Sequence, residues 1–304
     1  MKRIVVILLL LPLLVSCGSK DTIIQSLYDI SGAPLVYDDS GATKILQVAA
    51  VCMRCSKDKE TNLLAMEDMI DSIVAEHSVP VQTIDLIVFG ETILGWYYDP
   101  ADPQGYQSGL AEPIPDPPDA VPVAPADSAL VRIATKAVDH NIYIVFGMGE
   151  SYDGQLYNTQ VLLAPDGTVQ AKHRKVHLID TDEAGGFTPA VRSAADPLSL
   201  TITDINGISA AMLICADVSD CWLATQINEQ GVDLIIHSLA SFEPAFTIDA
   251  VSRQFNAWEI FANRCGQEAD TDYAGNCYVA DPAGTIRVGG EGGQRYEYAV
   301  VRVY

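Results

Sequence analysis

The chain has 304 residues and carries 18 basic and 40 acidic side chains, which give a formal net charge of −22. Because 49% of the residues are hydrophobic and 19% are charged, the chain has enough apolar surface for a core and is not a disordered acidic protein. The negative charge also argues against nucleic-acid binding, which needs basic groups to replace the counterions of phosphate. We favour one large domain, since α/β folds reach this length undivided.

The N-terminal segment has the pattern of an export signal. Two basic residues lie near the start, and positions 4–14 are apolar and contain Pro12. This stretch is too short to span a membrane as a stable helix. It ends in the sequence LVSC at residues 14–17, which resembles a bacterial lipobox; a simple secretory signal with an incidental cysteine is the alternative. We therefore expect a signal peptide over residues 1–16 and acylation of Cys17.

The next segment, residues 17–43, is expected to be the lipid anchor and a tether. It is polar and contains glycine, as flexible linkers do. Gly18 follows Cys17 where some lipoproteins have aspartate, a pattern that favours the outer membrane, facing the periplasm. Since the acidic surface is repelled by anionic headgroups, the lipid alone would hold the protein on the membrane.

Six further cysteines would then lie in an oxidising compartment. Cys52 and Cys55 form a CxxC motif, but the motif follows a predicted strand instead of opening a helix, and no second CxxC completes a zinc site. We expect structural disulfides or free thiols, and neither redox activity nor a metal site. The spacing leaves the pairing among Cys52, Cys55, Cys221, Cys265 and Cys277 open, although the last two flank a loop and are candidates for a bridge.

Strands and helices alternate over residues 44–304. The predicted strands are 44–51, 84–89, 142–147, 156–164, 168–174, 198–203, 208–214, 232–237, one ending at Asn263, 276–280 and 298–303. The predicted helices are one capped by Thr61, one over 128–139 capped by Asp127, and two near 219–229 and 246–256. The Pro-rich segment 99–127 is predicted to be a long loop. This alternation indicates an α/β fold whose sheets are covered on both faces.

Three predicted strand ends carry reactive side chains. Glu91 follows DLIVFG, Lys175 follows AKHR, and Cys215 follows AAMLI. Taken singly, they are typical of a helix cap, a surface charge and a small core residue. In buried α/β sheets, however, the carboxyl ends of strands are the ends that face a ligand. Their shared position therefore indicates one functional site.

These segments resemble the motifs of the nitrilase, or carbon–nitrogen hydrolase, superfamily over residues 44–304. DLIVFGET is similar to the family's glutamate motif, with Gly90 where proline is usual. LYNTQVLLAPDGTVQAKHRKVHL is similar to the lysine motif, and GISAAMLICADVSD to the cysteine motif, with Ala216 where an aromatic residue is common. Glu183 lies eight residues after Lys175, where several amidases of this family have a second glutamate.

The resemblance implies a four-layer α–β–β–α sandwich, commonly dimerised across one helical face. It implies that Cys215 is the nucleophile, Glu91 the general base, and Lys175 the cation that stabilises the oxyanion together with a backbone N–H after the cysteine. Glu183 would hold Lys175 or an amino group of the substrate. The expected reaction converts a small linear amide to an acid and ammonia or an amine through a thioester, with no metal or organic cofactor.

Alternative functions remain open at this point. Nitrile hydrolysis or acyl transfer would use the same thioester, but Cys215 is not followed by the Trp-Glu that nitrilases often carry. A catalytically silent binding lipoprotein would keep the fold alone, and thiol–disulfide exchange would use Cys52 and Cys55. His177 is a second candidate partner of the cysteine, as in papain-like enzymes, although we expect it to pack beside the lysine strand.

Two neighbouring segments are candidates for the rim of the site. Trp96, Tyr97 and Tyr98 follow the glutamate motif closely and either wall the pocket or pack in the core. The Pro-rich segment 99–127 comes next and forms either a lid or a solvated insertion. Since it follows Glu91 directly, we favour a place at the rim.

Overall fold

The structure is a computed structural model that describes residues 41–78, 83–117, 127–242, 248–290 and 293–304. The predicted signal peptide, the acylation site at Cys17 and almost all of the tether lie outside these residues. Within the described ranges, no helix is long and apolar enough to cross a membrane.

The described strands form two sheets. From edge to edge, the first contains β11 (Thr271–Ala274), β10 (Arg264–Glu268), β1 (Lys44–Arg54), β2 (Leu86–Val88), β3 (Tyr143–Tyr152), β4 (Gln155–Leu163) and β5 (Val169–Arg174), and β14 (Arg295–Val303) also pairs with β1. The second contains β13 (Ile286–Gly290), β12 (Cys277–Ala280), β9 (Trp258–Ala262), β8 (Leu234–Ser238), β7 (Ile208–Ile214) and β6 (Ile202–Ile205). Strands of one sheet contact strands of the other.

Helices cover the outer face of each sheet. Two helices cover each sheet: α1 (Lys59–Glu76) and α3 (Ala129–His140) the first, and α5 (Cys221–Gln230) and α6 (Ile248–Phe255) the second. Two short helices, α2 (Gly105–Leu110) and α4 (Asp180–Ala184), lie in connecting segments. Apolar residues of α1 and α3 pack on the first sheet, and those of α5 and α6 pack on the second. The layers therefore follow the order α–β–β–α, as the resemblance to the nitrilase superfamily implied.

Helix α1 illustrates why these segments are helical. Its buried residues Leu63, Met66, Ile70 and Ile73 recur at intervals of three and four, so that they share one face. The helix is capped by Asp58, whose carboxylate accepts the N–H of Thr61 at 2.8 Å. Asp58 is therefore the N-cap residue, and Thr61, the predicted cap, supplies the N–H that Asp58 accepts.

Parallel pairing brings three strand ends to one edge of the sandwich. Strands β1, β2 and β3 are mutually parallel, as are β7, β8 and β9 in the other sheet. Strand β5 also runs parallel to β3, because each is antiparallel to β4. The segments that follow β2 and β5 therefore lie at the same end of the first sheet. The segment after β7 meets them there, since the Asp217 carboxylate accepts the N–H of His177 over 2.8 Å.

Several predicted details are corrected. Strand β1 extends to Arg54, so Cys52 lies inside the strand and not after it. Cys52, Cys55, Cys265 and Cys277 are free thiols, which removes the candidate bridge between the last two.

Other corrections concern secondary structure. The described part of segment 99–127 contains helix α2, although it was predicted to be a loop. Strand β6 begins at Ile202, four residues after its predicted start. Strands β10, β11 and β13 were not predicted, because each is short and shows little apolar alternation.

Candidate active site

Glu91 lies just beyond β2, on a backbone path that two glycines make possible. Its N–H donates to the carbonyl of Leu239, at the end of the second sheet, over 3.1 Å. A Cβ atom on Gly90 would come within 2.9 Å of the same carbonyl oxygen, and one on Gly147 within 2.6 Å of the Thr92 nitrogen. Gly90, where the family usually has proline, therefore fits the close approach of the two sheets.

The Glu91 carboxylate is fully buried, and its two oxygens have different surroundings. Oε1 accepts hydrogen bonds from Lys175 Nζ and Asn158 Nδ2, both at 2.7 Å. Oε2 is buried and has no hydrogen-bond partner among the described residues. Burial raises the pKa of Glu91, and the Lys175 ammonium offsets this only in part. A carboxyl group of raised pKa with one open oxygen is suited to accept a proton from a nucleophile.

Lys175 directly follows β5 and continues its pairing with β4, since its N–H donates to the carbonyl of Asn158 over 2.9 Å. The side chain is fully buried, and Nζ lies 2.7 Å from both Glu91 Oε1 and Asp182 Oδ2. Burial alone would lower the pKa of Lys175, but the Glu91 carboxylate and the other anionic groups nearby hold this pKa above its ordinary value. The ammonium therefore remains a fixed positive charge.

The second carboxylate on Lys175 belongs to Asp182 and not to the predicted Glu183. Asp182 is fully buried and also accepts a hydrogen bond from the Tyr97 hydroxyl over 2.5 Å. The Glu183 side chain is exposed on the next position of α4. Because successive residues of a helix point about 100° apart, a difference of one residue decides which carboxylate faces the site. The family pattern therefore predicted the helical turn that contacts Lys175, but not the residue in that turn that makes the contact.

Cys215 lies at the sharp turn after β7, where residues Cys215–Ser219 form a 3-10 helix. Its φ is 45°, an uncommon value for a residue other than glycine and one typical of functional sites. Burial, together with the charge of Glu91, raises the pKa of the Cys215 thiol to about 12, against the opposing effect of Lys175. The thiol is therefore protonated at neutral pH, and it needs a base before it can act as a nucleophile.

Asp217 joins the cysteine turn to the end of β5. One oxygen of this buried carboxylate accepts the N–H groups of Val176 and His177, at 3.0 and 2.8 Å. The other accepts the Ile214 N–H at 3.1 Å and contacts His173 Nε2 at 2.9 Å. Burial alone would raise the pKa of Asp217, but its hydrogen bonds, first that from His173, hold this pKa below its ordinary value. The carboxylate thus fixes the Cys215 turn relative to the segment that carries Lys175.

The His177 ring faces Asp220. Its Nδ1 lies 3.9 Å from Asp220 Oδ2, and the side chain is partly exposed. Its backbone N–H, and not its ring, takes part in holding the cysteine turn, through Asp217. This position agrees with packing beside the lysine strand.

Two residues with a part in the site were missed in the sequence. Asn158 donates to Glu91 Oε1 and lies 3.2 Å from Asp182 Oδ1, and its signal was the run of polar residues NTQ within a predicted strand. Arg264 is also fully buried; its Nη2 donates to the carbonyl oxygens of Glu91 and Thr92 at 3.0 and 2.8 Å. Arg264 therefore holds the backbone that carries the glutamate.

The rim candidates also have defined positions. The Tyr97 hydroxyl belongs to the buried network, at 2.5 Å from Asp182 and 3.4 Å from Glu91. Burial, with these two carboxylates, raises the pKa of Tyr97 well above its ordinary value. Gln107 of α2 donates to the carbonyls of Trp96 and Tyr97 at 2.6 and 3.1 Å. The described part of the Pro-rich segment therefore lies beside the site.

The site thus combines a protonated thiol, a carboxylate with one open oxygen and a fixed ammonium. The charges of Glu91, Lys175 and Asp182 all act on the pKa of the Cys215 thiol. Such a set can transfer a proton to and from sulfur and stabilise negative charge on a neighbouring atom. In the part of the chain that the structure describes, no group of three or more His, Cys, Asp or Glu side chains is arranged to hold a metal ion.

The chain is similar to several amidases in sequence. Omega-amidase NIT2 of Bos taurus is 31% identical over 122 residues, which are 40% of this chain and 44% of that enzyme. The chain thus matches less than half the length of this relative. An (R)-stereoselective amidase of a Pseudomonas species is 24% identical over 208 residues, or 66% of this chain and 67% of that one.

Solved structures show the same fold. The amidase from Nesterenkonia sp. AN1, as a variant in complex with butyramide, superposes with a TM-score of 0.67 at 19% identity and covers 85% of this chain and 90% of its own. A further variant of that amidase, with the acetamide moiety of fluoroacetamide added covalently at the active site cysteine, also gives a TM-score of 0.67 at 18% identity. These matches confirm the predicted sandwich. The carbon–nitrogen hydrolase family model matches residues 47–299, well over half of the chain, and the protein therefore belongs to this family of hydrolases.

Proposed function

We propose that the protein hydrolyses small carboxamides to a carboxylic acid and ammonia or an amine, through a thioester on Cys215. One observation carries this proposal: a buried carboxylate, Glu91, has one oxygen held by Lys175 and the other open, beside a thiol that is protonated at neutral pH. The roles of base, cation and nucleophile are assigned to these three residues.

In the acylation step, Glu91 Oε2 accepts the proton of the Cys215 thiol while sulfur forms a bond to the amide carbon. The π electron pair of the carbonyl moves to its oxygen, where the Lys175 ammonium and a backbone N–H after the cysteine stabilise it. The carbon–nitrogen bond then breaks with its electron pair going to nitrogen. Glu91 returns the proton to this nitrogen, and ammonia or an amine leaves.

In the deacylation step, Glu91 accepts a proton from water, whose oxygen attacks the thioester carbon. The carbon–sulfur bond breaks, the acid is released, and the thiol regains its proton. A single carboxyl group serves both steps, and its raised pKa favours holding the proton that it accepts until the proton is passed on. We assign to Asp182 the task of holding Lys175, in place of Glu183.

Amides are preferred over nitriles as substrates because the named relatives are amidases. Nitrile hydrolysis and acyl transfer to an amine proceed through the same thioester, and they are outcomes of the test below. We also propose that the lipid on Cys17 holds the enzyme on the outer membrane, facing the periplasm, and that the enzyme forms the homodimer common in its family.

The test begins with the thiols of the full-length protein. Cysteines are alkylated with iodoacetamide over time, mapped by mass spectrometry, and ammonia release is then measured on matched panels of linear amides and nitriles. We expect labelling at Cys215, and turnover of amides that Glu91→Gln and Lys175→Ala each lower by at least about 10²-fold. Cys52→Ser is the matched control and should retain activity.

Two results would contradict the proposal. Variants of Glu91 or Lys175 that turn over amides within a few-fold of the parent would remove the assigned roles. Labelling at Cys52 or Cys55 with an inert Cys215 would favour thiol–disulfide exchange or a silent hydrolase fold.

A further inference from the structure

A buried histidine and glutamate lie directly behind the nucleophile. His237 of β8 is 2% exposed and Glu259 of β9 is fully buried. The ring contacts the carbonyl oxygen of Cys215 through Nε2 at 3.1 Å and Glu259 Oε1 through Nδ1 at 2.9 Å. Phe261 packs against the ring edge-to-face, with centroids 5.5 Å apart. The triad of the proposed mechanism does not use this pair.

The two contacts define which ring nitrogen carries a proton. A carbonyl oxygen only accepts hydrogen bonds, so Nε2 of His237 must be the donor to Cys215. The contact at Nδ1 then uses either a second ring proton or a proton on Glu259. A neutral ring that donates from Nδ1 alone would place a lone pair against the carbonyl oxygen, which disfavours that tautomer, so the Nε2–H form is assigned from the contacts. Glu259 therefore orients the ring with its Nε2–H directed at the nucleophile's backbone.

The bond from His237 acts on the peptide unit that joins Cys215 to Ala216. A peptide unit is planar and trans, so its carbonyl and its N–H point in opposite directions. Fixing the Cys215 carbonyl therefore also fixes the direction of the Ala216 N–H, which is the backbone N–H after the cysteine. A donor on the carbonyl also polarises the peptide and makes its N–H a stronger donor.

This fixation matters because the turn is strained. Cys215 has a φ of 45°, which is unfavourable for a residue with a Cβ and persists only where the surroundings hold it. Asp217 holds the turn through the Ile214 N–H at 3.1 Å, on the side before the cysteine. His237 holds it on the side of the cysteine carbonyl.

We propose that His237, oriented by Glu259, is a positioning residue that directs and polarises the Ala216 N–H toward the oxyanion. The inference rests on the proposed function and adds to it a pair of residues outside the Glu–Lys–Cys set. It distinguishes two reactions of the same thiol. Acylation of Cys215 forms an oxyanion and needs the N–H, whereas alkylation by iodoacetamide forms none.

The experiment compares these two reactions in the full-length protein. Acylation is followed with p-nitrophenyl acetate, as the burst of p-nitrophenolate, and alkylation with iodoacetamide, as mass added at Cys215. Since removal of one oxyanion donor costs about 10²–10³ in rate, we expect His237→Ala to slow acylation by at least about tenfold. Alkylation should stay within about threefold of the parent, because it makes no oxyanion.

Two further variants keep the test decisive if His237→Ala does not fold, as judged by circular dichroism. His237→Gln retains a side-chain N–H and should recover most of the acylation rate. Glu259→Leu leaves the ring but removes the group that orients it, and should slow acylation while sparing alkylation. His140→Ala is the matched control, since this histidine also contacts a carboxylate, Asp71, but at the surface.

Each outcome decides the matter. Equal losses of acylation and alkylation in the variants, or no loss of either, would overturn the positioning role. A parent protein that shows neither reaction at Cys215 would instead contradict the proposed function, independently of any change at His237.

Discussion

At the residue scale, the site buries more negative than positive charge. Glu91 and Asp182 both contact the single ammonium of Lys175 at 2.7 Å. Burial raises the pKa of Glu91, so the folded state favours its protonated form. Because the pKa of Glu91 is higher in the folded than in the unfolded state, protonated Glu91 contributes its full stabilisation below the unfolded-state pKa. This contribution is lost as the pH rises through the folded-state pKa. Ionisation of Glu91 therefore lowers the free energy of unfolding of the protein.

From this we expect Glu91→Gln to stabilise the protein at pH 8 while removing activity. The amide can keep the acceptor oxygen near Lys175 and place its nitrogen at the open Oε2 position. The melting temperature should rise by about 2–4 °C, equivalent to about 1 kcal/mol. The gain should shrink as the pH falls toward 4, where Glu91 of the parent is protonated. A lower melting temperature for the variant at pH 8, measured by calorimetry, would contradict this reasoning.

Adjacent carboxylates provide a second test at the residue scale. Asp182→Asn weakens the hold on the Lys175 ammonium and should lower amide turnover by about 10-fold or more, because catalysis depends on the position of that charge. Glu183→Gln makes the same chemical change one residue later, on an exposed side chain, and should leave turnover within about twofold. Steady-state kinetics on both variants checks the pair, and the reverse order would restore the prediction that Glu183 holds Lys175.

At the element scale, the site depends on how closely segments approach one another. Gly147 of β3 lies against the backbone of the glutamate turn, where a Cβ atom would meet the Glu91 Cα at 2.8 Å. The glutamate turn in turn bonds to the second sheet through the Glu91 N–H. A displacement at Gly147 would therefore reach the Glu91 carboxylate.

We accordingly expect Gly147→Ala to lower kcat/KM by about 10²-fold, since a shift near 1 Å at reacting groups has an effect of this size. Gly109→Ala is the matched control, because a Cβ atom there meets no neighbour within 4 Å. Far-ultraviolet circular dichroism should show that both variants are folded. Full activity in a folded Gly147→Ala would mean that the glutamate turn accommodates the methyl group without moving.

At the scale of the whole molecule, the proposed membrane anchoring would depend on one thiol, that of Cys17. The chain carries a net charge of −22, which disfavours binding to anionic headgroups by charge alone. We therefore expect Cys17→Ser to move the protein from the membrane fraction to the soluble fraction and to remove the acyl mass from the N-terminal peptide. Fractionation with mass spectrometry checks this. A Cys17→Ser protein that still partitions into membranes would contradict the lipobox interpretation.

Local patterns in the sequence determined much of this structure. Apolar runs and turn residues predicted the main strands, and Asn206-Gly207 indicated the hairpin between β6 and β7, where both residues have positive φ. The motifs around Glu91, Lys175 and Cys215 indicated the family, since a strand end and its flanking residues are contiguous in the chain. These features depend on residues that are close in the sequence, and they can therefore be predicted from the sequence alone.

Only the tertiary structure decided which side chains meet. Helix direction placed Asp182 and not Glu183 on Lys175, and pairing between distant strands brought Arg264 to the backbone of Glu91 across 173 positions. The contact of His237 with the cysteine carbonyl likewise joins the ends of β7 and β8. The sequence by itself specified the chemical groups because their types are local, whereas their partners follow from the packing of segments far apart in the chain.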